Sequence, residues 1–196
     1  MINVRVKKWF YVIIALSLGG CWPCDTIKVE NGPLPESALG FVPYKNGDTY
    51  SFRHSNGLVI NYKTTRETHE EWSGCSECCK YEYRYEVNST RLVPDYPVFT
   101  LQFEIDNLDT SNFHCFASIG KYGFYVPTND EFAGGVEKVD SVKVDSEYYY
   151  QVFKLKSNHD NYYFQDSIYV DSMYYNYENG IIKILLSNGE NYTIYE

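Results

Sequence analysis

Apolar and polar residues alternate along most of this chain with the two-residue period of a β-strand. Tyr81, Tyr83, Tyr85 and Val87 fall on one side of such a run, while Glu82, Arg84 and Glu86 fall on the other. Phe99, Leu101, Phe103 and Ile105 alternate in the same way with Thr100, Gln102, Glu104 and Asp106. Both stretches are predicted as half-buried strands. Three Asn-Gly pairs, Asn56-Gly57, Asn179-Gly180 and Asn188-Gly189, sit between runs rich in aromatic and β-branched residues. Asn-Gly adopts the positive φ angles of a two-residue hairpin turn. Residues 48–54 are therefore predicted to pair with 58–66, and 172–178, 181–187 and 190–195 to form a meander. Further strands are expected at 120–126, 136–144, 147–156 and 165–171, with polar loops at 107–112, 127–135 and 157–163. Past residue 20 no amphipathic stretch reaches ten residues, and 36–39 suits a single helical turn. Strands joined by short turns without helical crossovers make an antiparallel sheet. The fold class is all-β, a meander of hairpins forming either a twisted half-barrel or a two-sheet sandwich, with little helix.

The first twenty residues break this pattern. A short basic part (Arg5, Lys7, Lys8) precedes an apolar run from Trp9 to Leu18, then two glycines and Cys21. That is the layout of a cleavable secretion signal. At about ten residues the run is half the length of a membrane-spanning helix. Leu18-Gly19-Gly20-Cys21 resembles the lipobox of bacterial lipoprotein precursors, which implies that residues 1–20 are removed and the Cys21 thiol is acylated. Two or more acyl chains hold a protein stably on a membrane. Removal of 1–20 takes away three positive charges and no negative ones, moving the formal charge from −9 to −12. Such an acidic chain has no basic patch for phosphate backbones, so nucleic acid is not an expected partner, and the lipid alone would hold it on a membrane.

Residues 21–40 are polar and carry Asn31-Gly32-Pro33 and Pro35, which suits a flexible tether. A single β domain is expected over 41–196. The twenty-one tyrosines fit a sheet whose rings are apolar beneath and wet at the tip. The segments starting at Phe41-Val-Pro-Tyr-Lys-Asn-Gly-Asp and at Tyr174-Tyr-Asn-Tyr-Glu-Asn-Gly resemble the first and last blocks of small uncharacterised β-rich lipoproteins of Bacteroidota. The resemblance covers the signal, 41–66 and 172–195; the middle is unmatched. It implies a lipid-anchored protein of a Gram-negative envelope, at the outer membrane. The acidic run that often follows the lipidated cysteine in outward-facing members is missing from Trp22-Pro23-Cys24-Asp25-Thr26, so periplasmic and exterior orientations both stay open. If the lineage holds, Thr26, Ser141, Ser167 and Ser172 are similar to Asp-Ser/Thr-aliphatic sites of O-glycosylation in those bacteria.

With Cys21 acylated, Cys24, Cys75, Cys78, Cys79 and Cys115 remain, an odd number in an oxidising compartment. A disulfide from one of Cys75, Cys78 or Cys79 to Cys115 is the simplest staple. The alternative is a zinc or copper site in which Cys75, Cys78 and Cys79 are joined by His69, His114 and Cys115, although the second cysteine pair of a zinc signature is missing. No nucleophile elbow, His-Glu-x-x-His or phosphate loop occurs. The expected role is therefore a non-catalytic binding or structural module of the envelope, with a glycan, a peptide or another envelope protein as partner. A hydrolase of envelope or dietary polymers is the rival class and a metal-binding module the third.

Overall fold

A computed structural model describes residues 26–74, 81–109, 112–129, 135–157 and 167–195. The strands are β1 (Ile27–Glu30), β2 (Thr49–His54), β3 (Val59–Ser73), β4 (Tyr81–Pro94), β5 (Leu101–Asp109), β6 (Asn112–Ile119), β7 (Tyr122–Val126), β8 (Val136–Val144), β9 (Glu147–Lys156), β10 (Val170–Asn176), β11 (Gly180–Leu186) and β12 (Asn191–Tyr195), with one helical turn, α1 (Glu36–Leu39). All three Asn-Gly pairs lie at the turns predicted for them, between β2 and β3, β10 and β11, and β11 and β12.

Eleven strands follow one another in the order β7-β6-β5-β4-β3-β2-β12-β11-β10-β9-β8, each neighbour antiparallel. The sheet curls until β7 approaches β9, giving a nearly closed barrel rather than a sandwich. Alternation explains its interior. Leu101, Phe103 and Ile105 of β5 face Cys115, Ala117 and Ile119 of β6 and Phe124 and Val126 of β7, all buried in one core with Phe52, Ile60, Tyr62 and Leu92. Curling hides the apolar side of these barrel strands, which a flat sheet would leave wet.

Besides the strand expected at 165–171, of which among the described residues only Val170 and Asp171 are strand, as the start of β10, two regions depart from the sequence reading. The residues expected as a flexible tether, up to 40, belong to the fold from Ile27 onward. β1 runs parallel to β4, pairing Ile27 with Tyr81 and Glu30 with Arg84. β4 meets β5 only from Val87 onward, so β1 covers the stretch of β4 that β5 leaves bare. Leu34, Ala38, Val42 and Tyr44 then enter one end of the barrel and join the core. Burial of these side chains, not backbone propensity, orders a segment rich in glycine and proline.

The second departure is length. β3 runs to Ser73, seven residues past the strand end expected at 66, and pairs with β4 along twelve consecutive positions to Tyr83. Past Lys63, where β2 begins beside it, β3 continues for ten residues, about 33 Å. The β1, β3 and β4 ends thus form an arm projecting from the barrel. Along the outer part of this arm, 67–73 and 81–86, no residue is buried, so its alternation marks strand without marking a core.

The β8–β9 hairpin folds over the outside. Tyr149 and Val152 are three residues apart yet share a small cluster with Val144 and Ile182. Their strand neighbours Phe153, Met173 and Tyr175 lie in the main core, so this second cluster is on the opposite side of the sheet. Gln151, at φ 52°, flips the side-chain phase between them. The register against β8 is the same on both sides of it, with Ser141 opposite Tyr150 and Val139 opposite Val152. The hairpin tip is held where the Arg53 guanidinium donates to the Asp145 carboxylate.

Candidate functional site

The arm end of the barrel is not sealed. Its rim comprises the segment Phe41–Asp48, the β10–β11 turn and the residues after β7, and two clefts open there on either side of Glu178. One, of ≈ 350 Å³, is lined by Phe41, Asn129, Lys138, Tyr150, Gln151 and Asn176 among others. The other, of ≈ 530 Å³, is lined by Lys45, Asp48, Tyr50, Ser51, Asn179 and Tyr195 among others. Both volumes fall in the range of small-molecule sites. Tyr150 and Tyr195 are 65% and 42% exposed, and the Arg53 guanidinium stands 5.2 Å from the Tyr195 ring. Gln151, in a backbone conformation that costs a non-glycine residue about 1–2 kcal/mol, stands in the lining of the first cleft.

The rim is built from below by Arg66. Its guanidinium donates to the carbonyls of Leu39 (2.9 Å), Val42 (3.0 Å) and Tyr44 (3.2 Å) and, through Nε, to Asn88 Oδ1 at 2.7 Å. Asn88 Nδ2 passes the chain on to Thr68 Oγ1 at 2.8 Å. Burial lowers the Arg66 pKa, and none of these four contacts is with a carboxylate, so carbonyl dipoles hold the charge. Tyr44 completes the scaffold: its hydroxyl accepts from the Ile181 N–H at 2.7 Å at the start of β11. A Cβ on Gly180, whose φ is 75°, would lie 2.4 Å from that hydroxyl. Asn107 ties the preceding segment, accepting from the Glu86 N–H and donating to the Gly32 carbonyl, both at 3.0 Å. Leu34 N–H donates to the Glu86 carboxylate at 2.7 Å. Burial raises the pKa of Tyr44, Tyr62, Tyr175 and Cys115; of these, Tyr44 also lines the wider cleft.

The candidates named from sequence are scattered. Cys21, Cys24, Cys75, Cys78 and Cys79 lie outside the described residues. Cys115 is a free thiol buried in the barrel core. Its expected disulfide partners, Cys75, Cys78 and Cys79, are among the residues outside the described ones. Of the expected metal set, the two histidines stand apart. His69, Val87, Asp106 and His114 form one row across four strands, so the two histidines are three strand spacings apart, about 14 Å. Each is held by a carboxylate, His69 by Glu71 at 3.1 Å and His114 by Asp106 at 3.2 Å. Cys115, next to His114, points to the other face. Among the described residues no three His, Cys, Asp or Glu side chains converge as a metal site. Thr26 and Ser167 are exposed, Ser141 half-buried and Ser172 fully buried.

No protein-family model, curated protein or solved structure matches the chain. The clefts and the residues that build them therefore carry the functional reading. Sequence reasoning named none of Arg66, Tyr44, Glu178 or Gln151. One signal was available: Leu34 and Ala38 in the expected tether, and Val42 just past it, recur every fourth residue.

Proposed function

We propose that this protein is a lipid-anchored, non-catalytic module of a Gram-negative envelope that binds a saccharide chain across the arm end of its barrel. The observation that supports the binding reading most is the pair of clefts meeting at Glu178, with Tyr150 and Tyr195 at their margins. A pyranose offers apolar C–H faces and a rim of hydroxyls. Exposed tyrosine rings stack on the former, and amides and carboxylates such as Asn176, Asn179, Asp48 and Glu178 take the latter. Gln151 adds a strained residue beside the first cleft, where strain accompanies ligand contact. The anchor itself is supported by the sequence up to Cys21.

Calorimetric titration of the soluble domain with oligosaccharides from envelope polysaccharide tests this reading. Binding by the native protein, lost in Tyr150→Ala and Tyr195→Ala with the fold intact, is the expected result; no heat with any saccharide at millimolar concentration refutes it. Chain length of the recovered saccharide separates binding from hydrolysis. Shortened products would move the reading to a hydrolase, with Asp48 and Glu178, the carboxylates of the wider cleft, as the pair to substitute.

A further inference from the structure

The arm carries three exposed large apolar side chains close to where the described chain begins. At its end, Trp72 is 46% exposed, Tyr81 41% and Ile27 49%. Ile27 and Tyr81 are direct partners between β1 and β4, and Trp72 pairs with Arg84 on the other face. The Lys28 ammonium stands 5.2 Å and the Arg84 guanidinium 5.6 Å from the Trp72 ring. Indole and phenol rings with cationic stems beside them are what the headgroup layer of a bilayer accommodates.

Chain direction says what this end faces. β1 starts at the arm end and runs toward the barrel, so the described chain begins there, at Thr26 and Ile27. Cys21 is five residues before Thr26, a reach of about 17 Å at full extension. An acyl group on Cys21 would therefore keep the arm end within that distance of the bilayer surface, where a short tether gives a millimolar effective concentration of lipid. We propose that the end of the β1–β3–β4 arm is a membrane-docking surface that seats Trp72, Tyr81 and Ile27 in the headgroup layer of the bilayer carrying the anchor. This rests on the lipoprotein reading. Charge does not drive the contact: Lys28 faces Glu82 at 4.0 Å, and Arg84 is held by Glu70 and, at 3.5 Å, by Glu30. Neutral lipid suffices. The arm then acts as a spacer, and the clefts at its base face the membrane across it.

The test uses the mature acylated protein in phosphatidylcholine vesicles, with Trp22→Phe leaving Trp72 as the only tryptophan. Bromination of the lipid chains should quench most of the Trp72 emission, and aqueous acrylamide should quench it less than in a soluble Cys21→Ala form. A second variant, Trp22→Phe/Trp72→Phe/Tyr96→Trp, reports from the opposite end of the barrel, where Tyr96 is exposed; its emission should ignore the brominated lipid. If Cys21 is acylated by mass spectrometry and Trp72 stays as open to acrylamide as in the soluble form, docking is overturned and the anchor stands. Equal quenching at Tyr96→Trp overturns the orientation. An unacylated Cys21 overturns docking and anchor together.

Discussion

Replacing Arg66 by methionine removes a guanidinium that holds three main-chain carbonyls and Asn88 at once. A hydrogen bond from a charged donor contributes about 1.5–3 kcal/mol when fully desolvated. Arg66 is half-buried, so water can replace part of each contact, and about 1 kcal/mol per acceptor is the appropriate figure. With four acceptors and some recovered packing by the methionine, the expected loss is about 3 kcal/mol, a large share of a typical domain's stability. For a chain of this size that lowers Tm by about 6–12 °C. Urea denaturation of the soluble domain measures it, and limited proteolysis locates it, because residues 34–46 should become the first segment cut. Arg66→Lys should recover little, since one ammonium cannot span Leu39, Val42, Tyr44 and Asn88. A methionine variant within about 0.5 kcal/mol of the native protein, with 34–46 still protected, would refute the claim that this residue pins the segment.

Stability should also fall in alkali. Burial raises the pKa of Tyr44, Tyr62, Tyr175 and Cys115, so the folded state keeps protons that the unfolded chain releases above its ordinary values. The contribution is complete below about pH 8.5 and declines by about 1.4 kcal/mol per pH unit for each group as pH passes the unfolded cysteine and then tyrosine values. Urea midpoints flat from about pH 8 to about pH 11 would contradict it. Gly180→Ala forces a Cβ onto the Tyr44 hydroxyl at positive φ and should cost about 3 kcal/mol, seen as a lower urea midpoint. Tyr44→Phe leaves the buried Ile181 N–H without its acceptor and should cost about 1–3 kcal/mol by the same assay. Asn107→Ala should cost less globally but speed amide exchange in β1, because Asn107 ties Gly32 and Glu86 together.

Strand existence was legible because period-two alternation and Asn-Gly turns are local properties, and each chain neighbour along 49–195 that pairs does so as a hairpin. What alternation does not carry is which side is buried. Tyr81, Tyr83 and Tyr85 look like a core face, but the sheet around them is an arm with water on both sides. The phase of Phe113, Cys115, Ala117 and Ile119, by contrast, does place Cys115 inward and His114 outward, so strand phase alone separates two of the expected metal ligands. The tether was misread for a physical reason. Gly32, Pro33 and Pro35 speak for the backbone, whereas order in 27–46 comes from long-range burial and from an arginine in β3, neither of which has a local signature. The clefts are equally non-local, being brought together by strand ends from 41 to 195 and by the phase flip at Gln151.

Amide hydrogen exchange with and without a saturating envelope oligosaccharide tests most directly whether a saccharide lies across the arm end of the barrel. Slowed exchange in 43–51, 128–129 and 176–179, with no change at the opposite turns around Asn56 and Asn188, is the expected result. Protection confined to those opposite turns, or none anywhere in the presence of a saccharide that binds, would contradict it.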